Sequence, residues 1–453
     1  MHRCLVVGSG PSGMYTAKYL LKALGDSVRI DVMDKLPTCY GLVRYGVAPD
    51  HPEVKAVSND FDEVMGDGRV NFFGNVELGV DVSLDSLRSV YDGVVLAYGA
   101  STDRLLNVPG EDTATNVWGG RNFVNWYNGH PDCYTESSIQ PLLDHETAIV
   151  VGLGNVALDV ARILTRPVEE LAWTDIASPA LDALRNSKVK RVVVVGRRGT
   201  AQASFTIKEL RELSKLPDVG CLINPQDIKD SRTSASVEEI KSSRGLTRID
   251  KLIGEIAAKY EENLSKPKQI ELKFLRSPLE LIVGSDSRIS KVTFQLNQLE
   301  GKSFSQTAVP VPGSLENMDC GLLVRSIGYK SEPISGVAFD SNRHVLLNSA
   351  GRVNDTTDVY ASGWLKRGPT GIVGTNINDA RETVDSIVSD FKSRQSFKNS
   401  SVDLRSLVTC QIIDWNGYQK INQEEMKRGS QGTPPRPREK LLKKQEMIDI
   451  ATK

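Results

Sequence analysis

The chain has 453 residues, and its 56 lysines and arginines nearly balance its 57 aspartates and glutamates, leaving a formal net charge of -1. This charge gives no global reason to expect nucleic acid or an acidic membrane surface as a partner. The six cysteines are scattered and form no C-x-x-C pair. That pattern argues against a disulfide framework, a zinc site or an iron–sulfur site and favours a reducing compartment. No apolar run approaches the roughly 18 residues of a transmembrane helix.

The N-terminal stretch predicts a strand, a glycine turn and a helix. The apolar run Cys4–Val7 leads into Gly8-Ser9-Gly10-Pro11-Ser12-Gly13, and helical spacing continues from Met14 to Leu24. In a dinucleotide-binding unit the first glycine permits the turn, the second lets the backbone approach a pyrophosphate, and the third lets the helix pack closely. The next apolar run ends in Asp34, about 20 residues on, where a ribose-binding carboxylate is expected. Because this strand begins so early, we expect a cytosolic protein or one whose targeting peptide is absent from this sequence.

The residues after Asp34 predict a loop followed by short elements. The stretch Tyr40–Pro52 is rich in glycine and proline, which is typical of an ordered loop. Its His51 could act as a proton donor or as a polar wall beside a bound ring, or it could be a loop histidine held only by its neighbours, and the residues alone favour the last. Helical spacing follows at Val54–Val64. Three strand-like runs come next, at Val70–Phe73, Val76–Leu78 and Val94–Leu96. The polar stretch Ser101–Asp112 then predicts a crossover between domains.

A second dinucleotide unit begins at Thr147. The run Ala148–Val151 leads into Gly152-Leu153-Gly154-Asn155-Val156-Ala157, where alanine at the third position still allows close helix packing. The next strand ends in Arg197-Arg198 instead of an acid. A guanidinium pair there suits a 2′-phosphate through charge-assisted bonds, whereas an acid would repel it. Two surface arginines without a ligand are the plainer alternative.

The middle of the chain predicts two helices and a group of antiparallel strands. Thr206–Leu213 is amphipathic, and a polar loop follows it. Leu246–Tyr260 has helical spacing, with Arg244, Arg248 and Lys251 on one face. A basic face is usually only solvated, unless the partner is acidic. The short runs Leu272–Leu275, Leu281–Val283 and Val292–Leu296 predict antiparallel strands.

The last third of the chain predicts a return to the first domain. The predicted elements are a strand at Leu322–Gly328 that marks the return, a strand at Asp358–Trp364, a glycine-rich loop at Leu365–Gly374, a helix at Asn378–Phe391, a polar linker at Gln395–Ser401, and an extended basic segment at Thr433–Arg438 before a short terminal helix. The glycine-rich loop ahead of a helix could face a negative group.

The chain resembles the adrenodoxin reductase family, the mitochondrial-type ferredoxin–NADP reductases, over nearly its whole length. The resemblance is carried by GSGPSG, YGLVRYGVAPDHPEVK, GNVELG, GLGNVALDVARIL, GRRGTAQASFTIKELRE, SIGYKSEPI, GWLKRGPTGIVGTN and PREKLL. It implies an α/β fold with two Rossmann-like dinucleotide-binding domains. Residues 1–106 and 332–453 would form an FAD-binding domain, and residues 107–331 an inserted NADPH-binding domain. Three positions depart from the family pattern: Ser12 for alanine, Asp34 for glutamate and Thr200 for proline.

The resemblance also implies site residues. FAD contacts are implied at Gly8, Gly10, Ser12, Gly13, Asp34, Leu42, Leu78, Trp364, Gly371, Ile372 and Val373. NADPH contacts are implied at Gly152, Gly154, Asn155, Val156, Arg197, Arg198, Glu209 and Gly371. Catalytic positions near the flavin and nicotinamide are implied at His51, Asp159 and Glu209, and partner contacts at Arg211, Arg244 and Arg248, to which the helix spacing adds Lys251. No metal is implied.

The implied reaction is hydride transfer from NADPH to the flavin, followed by one-electron transfer to a small acidic [2Fe-2S] ferredoxin. The resemblance further implies a monomer in mitochondria, allows peripheral membrane association, and gives no place to nucleic acid. A disulfide reductase would need the redox cysteine pair that is missing. A flavin monooxygenase, which needs an organic substrate pocket, and a redox sensor that binds both nucleotides without catalysis stay open as alternatives.

Overall fold

The computed structural model describes residues 1–394, 397–398 and 400–453. Gln395, Ser396 and Asn399 of the predicted linker lie outside the described residues. No helix in the described part of the chain has the length and apolar character needed to cross a membrane.

The strands, numbered in chain order, have the following bounds: β1 His2–Val7, β2 Val28–Asp34, β3 Val70–Gly74, β4 Gly93–Leu96, β5 Thr102–Asp103, β6 Val117–Gly119, β7 Thr147–Val151, β8 Arg191–Val195, β9 Val219–Ile223, β10 Lys268–Lys273, β11 Arg276–Val283, β12 Ile289–Glu300, β13 Thr307–Asp319, β14 Leu322–Arg325, β15 Tyr329–Lys330, β16 Phe339–Asp340, β17 Val345–Leu346, β18 Asn348–Ser349, β19 Arg352–Val353 and β20 Val359–Ala361.

The helices have the following bounds: α1 Pro11–Leu24, α2 Leu42–Tyr45, α3 Pro52–Lys55, α4 Val57–Met65, α5 Leu84–Val90, α6 Gly120–Tyr127, α7 Asn155–Thr165, α8 Val168–Leu171, α9 Ser178–Arg185, α10 Ile207–Leu213, α11 Pro225–Asp230, α12 Ser234–Ser242, α13 Arg244–Ala257, α14 Tyr260–Leu264, α15 Trp364–Arg367, α16 Thr375–Ser393, α17 Trp415–Ser430 and α18 Lys444–Thr452.

The first sheet has seven strands in the order β18-β19-β20-β4-β1-β2-β3, and its five strands from β20 to β3 are parallel. Strands β1 to β4 come from the N-terminal part of the chain, whereas β18 to β20 come from residues 348–361. Helix α1 packs on α16, and Thr16 Oγ1 lies 3.1 Å from Ser362 Oγ between them. The two ends of the chain therefore build one sheet together.

The second sheet has six strands in the order β6-β14-β7-β8-β10-β9, all parallel. Its central strands are buried on both faces, and helices including α6, α7, α10 and α13 contribute to the core on one side. The antiparallel sheet β11-β12-β13 packs on the other side. The ribbon β5–β15 joins the two points where the chain leaves the first sheet and returns to it. This is the predicted α/β class, with two Rossmann-like sheets.

Several predicted elements are wrong in type. Only Leu272 and Lys273 of the run Leu272–Leu275 are in a strand, and this strand, β10, is parallel, because Ile270 and Leu272 are buried in the middle of the second sheet and pair with β8 and β9. Leu275 has a positive φ of 60° and lies in the turn that follows. The run Val76–Leu78 forms no strand, since Asn75 takes a positive φ of 66° and turns the chain away from β3. The predicted loop Tyr40–Pro52 contains α2 and the start of α3.

Other predicted elements are misplaced or missing. The strand that was expected to mark the return to the first domain, β14, still belongs to the second sheet, so the return comes after it. The polar loop predicted after Leu213 contains β9, α11 and α12. Trp364 begins α15 and does not end a strand. The long strand β13 and the helix α17 were not predicted at all.

Candidate cofactor and electron-transfer site

The first glycine turn connects β1 to α1. Gly8 has a φ of 106°, and a Cβ there would lie 2.6 Å from the backbone oxygen of Ala97. A Cβ on Gly13 would lie 1.9 Å from the oxygen of Gly8, so this glycine allows the helix to pack on the strand. A Cβ on Gly10, in contrast, would meet nothing within 4 Å. Gly10 therefore borders open space, as a turn that receives a pyrophosphate requires.

Asp34 stabilises this turn with its carboxylate. Oδ2 accepts hydrogen bonds from the Ser9 backbone N at 2.8 Å and from Ser9 Oγ at 2.6 Å. Oδ1 accepts a hydrogen bond from the Leu36 backbone N at 3.0 Å. Burial raises the pKa of Asp34, although these hydrogen bonds partly offset it. Asp34 is thus at the predicted strand end, and it also holds the glycine turn in place.

Two segments that carry other predicted FAD residues lie beside this turn. A Cβ on Gly41 would lie 3.1 Å from the Gly10 Cα, which places the loop that carries Leu42 beside the turn. On the other side, a Cβ on Gly363 would lie 2.4 Å from the buried Ser12 Oγ, and Trp364 follows directly.

The loop after α15 leads to another helix start. Trp364 Nε1 donates to the Thr370 oxygen at 3.2 Å, and Gly371 has a φ of 84°. Ile372 is 64% exposed and Val373 is partly buried next to the helix α16. Leu78 is partly buried in the core on the other face of the first sheet, in the loop after β3.

The second glycine turn connects β7 to α7. Gly152 has a φ of 131°, and a Cβ there would lie 2.0 Å from the Ser326 oxygen. Gly154 caps the helix, followed by Asn155 and Val156, which are both partly buried. Asn155 Oδ1 accepts a hydrogen bond from the Thr206 N at 2.8 Å, which ties the start of α7 to the start of α10.

Arg197 and Arg198 lie at the end of β8, and both side chains are exposed. Their backbone is held by Asn297 Nδ2, which donates to the Arg197 oxygen at 3.1 Å, and by Leu275 N, which donates to the Arg198 oxygen at 3.1 Å. No carboxylate among the described residues forms an ion pair with either guanidinium, so both groups are available for an anionic ligand. Thr200, the departure from the family pattern, begins a buried 3-10 turn and lies 3.4 Å from Ser231 Oγ.

Three helices begin at a glycine. Helices α1, α7 and α16 have the N-caps Gly10, Gly154 and Gly374, and none of them receives a side-chain capping bond from a described residue. At α1 and α7 the first backbone N–H groups and the positive dipole ends therefore remain available, whereas at α16 the Thr375 and Asn376 N–H groups donate to the Ile372 and Val373 oxygens. Together with the open space beside Gly10 and the unpaired arginines, the residues fit FAD at the first sheet and NADPH at the second.

A buried charge cluster forms where the two sheets' domains meet. Arg162 of α7 is fully buried, and its Nε and Nη2 donate to Asp50 Oδ2 at 2.7 Å and Oδ1 at 3.0 Å. Its Nη2 also lies 2.9 Å from Asp159 Oδ1. Glu212 Oε1 is 3.6 Å from Arg162 Nε, and Glu212 Oε2 pairs with His51 Nε2 at 2.8 Å. The three predicted catalytic residues thus share one cluster, because Glu209 Oε2 lies 3.9 Å from Arg162 Nη1.

The cluster shifts the pKa values of its members. Burial raises the pKa of Asp159 to about 6, against the opposing effect of Arg162. Burial alone would lower the pKa of His51, but the hydrogen bond to Glu212 and the negative charges of Asp50 and Glu212 together outweigh it, and the pKa is raised. The same hydrogen bond lowers the pKa of Glu212. The pKa of Asp159 is therefore brought closer to neutral pH, where a proton donor is most useful, and the raised pKa of His51 favours its protonated form.

Three buried polar atoms of this cluster accept or donate no well-formed hydrogen bond among the described residues: Asp159 Oδ1, which has only its 2.9 Å ion-pair contact with Arg162 Nη2, Glu209 Oε2 and Arg162 Nη1. Tyr127 Oη, on the adjacent helix α6, also has none. Buried polar atoms rarely stay unpaired, so an ordered water is expected to bridge these groups. His51, Glu209 and Glu212 could in principle hold a metal ion. The guanidinium of Arg162 beside them disfavours a cation.

The predicted basic face is exposed. Arg244, Arg248 and Lys251 lie on α13, and Arg211 lies on α10, which packs against it. Lys251 Nζ is 3.8 Å from Glu255, whereas the two arginines of α13 and Arg211 form no ion pair among the described residues. Glu209 and Glu212 of α10 face the charge cluster around Arg162, whereas Arg211 of the same helix is exposed to solvent.

Sequence reasoning missed the residues that connect this cluster, namely Arg162, Asp50, Glu212 and Arg166. Arg166 Nη1 lies 2.9 Å from Asp50 Oδ2. The one available signal was a charged residue, Arg162, within the apolar helix Asn155–Thr165, three residues after Asp159. Its partner, Asp50, is 112 residues away in sequence, and no spacing rule connects the two.

Comparisons with known proteins agree with these features. The family model for pyridine nucleotide-disulphide oxidoreductases matches residues 2–212. The NADPH:adrenodoxin oxidoreductase of Arabidopsis thaliana is 41% identical over 100% of this chain and 95% of its own, and the human protein of that name is 42% identical over 98% and 91%. The chain belongs to the NADPH:adrenodoxin oxidoreductase family.

The solved structures include one from this family's bacterial relatives. Mycobacterium tuberculosis FprA in complex with NADPH has a TM-score of 0.92 and 36% identity, and each chain is covered completely. The predicted family, the fold with one Rossmann-like domain inserted in another, and the oxidoreductase class are confirmed. FAD and NADPH are the cofactors of this flavoprotein. The matched family model is named for disulphide oxidoreductases, whereas the sequence contains no C-x-x-C pair.

Proposed function

We propose that the protein is an FAD-dependent NADPH:ferredoxin reductase that delivers electrons, one at a time, to a small acidic [2Fe-2S] protein. The observation that carries this proposal is the pair of glycine turns on two parallel sheets. The first turn is followed by Asp34, and the second by Arg197 and Arg198, which form no ion pair within the part of the chain that the structure describes. Relatives named as adrenodoxin or ferredoxin reductases support the acceptor. FAD, when bound, accepts a hydride and releases electrons singly.

The cofactor sites follow the sheets. Residues 1–106 and 332–453 would hold FAD, with contacts from the Gly8–Gly13 turn and from the loop of Gly371. Residues 107–331 would hold NADPH, with the start of α7 receiving its pyrophosphate and Arg197 and Arg198 receiving its 2′-phosphate. His51, Asp159 and Glu209 shape the nicotinamide end, where their cluster excludes water from the buried side and keeps a proton available.

The acceptor docks on the basic face formed by Arg211, Arg244, Arg248 and Lys251. With a net charge of -1, the protein exerts no strong overall field, so this local face must supply the steering. The protein acts as a monomer. Any association with a membrane is peripheral, at the membrane surface. Mitochondrial location follows if the source cell is a eukaryote, since the Arabidopsis and human relatives are named as mitochondrial and FprA comes from a bacterium.

The test is an anaerobic titration of the purified yellow protein with NADPH. We expect the flavin absorbance to bleach, and we expect a [2Fe-2S] ferredoxin to be reduced when it is added. A bleached flavin that reduces ferricyanide but no acidic ferredoxin would contradict the acceptor, and a monooxygenase would instead consume NADPH and oxygen with an organic substrate. A protein that binds both nucleotides but does not bleach would be a sensor.

A further inference from the structure

The segment Asp50–Lys55 belongs to the first domain and lies against the inserted domain. Each of its ionisable side chains forms an ion pair with a residue of the inserted domain. The four pairs are Asp50 with Arg162, His51 with Glu212, Glu53 with Lys208 and Lys55 with Asp175. The Glu53–Lys208 pair is exposed and adds little stability. The others are largely buried, and the Asp50–Arg162 pair is the most enclosed.

Arg162 holds Asp50 by two parallel hydrogen bonds, with neither side chain more than 3% exposed. A bidentate guanidinium–carboxylate pair fixes orientation as well as distance. We call this two-pronged contact the fork. Lysine cannot reproduce it, because an ammonium group is a point charge and cannot donate two parallel hydrogen bonds from one plane. The pair therefore fixes the loop of His51 relative to α7 more tightly than a single charge contact would.

The same guanidinium contacts the groups proposed to act on the nicotinamide. Asp159 lies 2.9 Å from it and Glu209 lies 3.9 Å from it, and His51 follows Asp50 in the chain. Arg162 itself has no side-chain surface exposed to solvent. It is thus placed to orient these groups, and it has no exposed surface with which to contact a bound nucleotide.

We propose that Arg162 is a positioning residue for the reduction of the flavin by NADPH, acting through its fork with Asp50. This inference rests on the proposed function. By fixing the loop of His51 against α7 and α10, Arg162 sets how closely the inserted domain presents NADPH to the first domain. Reacting atoms must approach to about 3–3.5 Å, and a displacement of about 1 Å can cost about 100-fold in rate.

Several charged and titratable groups face Arg162 and His51. They are Asp50 on the loop, Asp159 and Arg166 on α7, Glu209 and Glu212 on α10, and Tyr127 on α6. A change in the fork alters the surroundings of all of them. The pH dependence of flavin reduction should therefore change together with its rate, which a residue with only a structural role would not cause.

The experiment compares Arg162→Lys, Asp50→Asn and the double variant as holoenzymes, with Arg185→Lys on the exposed face of α9 as the matched control. Stopped-flow absorbance measures the limiting rate of flavin reduction by NADPH across the pH range, and acid release measures FAD content. We expect each single variant to keep its FAD and NADPH affinity, to lose about 10- to 100-fold in limiting rate, and to show a shifted pH profile. The double variant should be no slower than the slower single one.

Wild-type rates and profiles in both single variants would overturn the proposal, as would losses that multiply in the double variant. If Arg162→Lys fails to retain FAD, Asp50→Asn decides alone: an unchanged rate and profile refutes the role of the fork. A wild-type flavin that NADPH does not reduce would refute the proposed function as well. A reducible wild type with unaffected variants would refute only the role of Arg162.

Discussion

The preference for NADPH over NADH should depend on Arg197 and Arg198. Both side chains are exposed and form no ion pair among the described residues, while their backbone is fixed by Asn297 and Leu275. The turn should therefore keep its shape when the guanidinium groups are removed. Each lost charge-assisted contact to the 2′-phosphate costs about 1.5–3 kcal/mol. That corresponds to a factor of about 10 to 150 in NADPH affinity.

The assay compares kcat/KM for NADPH and NADH in the variant carrying Arg197→Ala and Arg198→Ala, with ferricyanide as the acceptor. NADPH should lose at least about tenfold, whereas NADH, which lacks the phosphate, should change little. The matched control carries Lys188→Ala and Lys190→Ala, which remove the same charge from exposed positions at the opposite end of β8. Five strand residues separate the two ends by about 17 Å. This exceeds the Debye length of about 8 Å at physiological ionic strength, so the control should keep the preference.

An unchanged ratio of NADPH to NADH activity in the arginine variant would refute this assignment. Equal losses with both nucleotides would indicate damage to the turn. A control variant that loses the preference equally would show that the overall field of the domain, and not a direct contact, selects the phosphate.

Three further predictions concern the other parts of the site. Gly10→Ala should fold normally but bind FAD more weakly, and the FAD released on denaturation measures this. Gly13→Ala should instead destabilise the fold, because its Cβ would lie 1.9 Å from the Gly8 oxygen. Full FAD occupancy in Gly10→Ala would contradict the site. His51→Gln should keep FAD and slow flavin reduction. Since the folded pKa of His51 is raised from 6.5, its stabilising pair with Glu212 is present below that value and lost as pH rises through the raised pKa; Tm measured against pH should show this loss in the wild type and not in the variant. Arg244→Glu with Arg248→Glu should raise KM for a ferredoxin and spare ferricyanide reduction, with an effect that weakens at high salt; insensitivity to both charge and salt would place the acceptor elsewhere.

The parts of the structure that the sequence predicted are those with local patterns. Both glycine turns, with the strands before and the helices after them, follow from residues within about 30 positions of one another. The antiparallel assignment of Leu272–Leu275 failed because a short buried run has the same composition in a parallel sheet, and only its neighbours β8 and β9 decide its direction.

The charge cluster could be predicted only in part for a related reason. The resemblance pointed to His51, Asp159 and Glu209 as separate positions, but Arg162 joins them through Asp50, and the two segments approach only when both domains have formed. The only signal for the burial of Arg162 is its position in an apolar helix, and this signal is weak because an arginine on a helix is ordinarily exposed. Long-range ion pairs of this kind depend on the arrangement of domains and not on any short pattern.

The order of the strands in the first sheet has a consequence for folding during synthesis. β4 pairs with β20, so the first sheet stays open at the edge of β4 until residues 359–361 have emerged. The second sheet, by contrast, draws all its strands from one continuous stretch between β6 and β14. Domains fold as units, and the N-terminal part of a chain emerges first. The inserted domain can therefore complete its sheet before the first sheet is complete. Until β20 is made, the apolar strand β4 has an unpaired edge, and such an edge is prone to association with other chains.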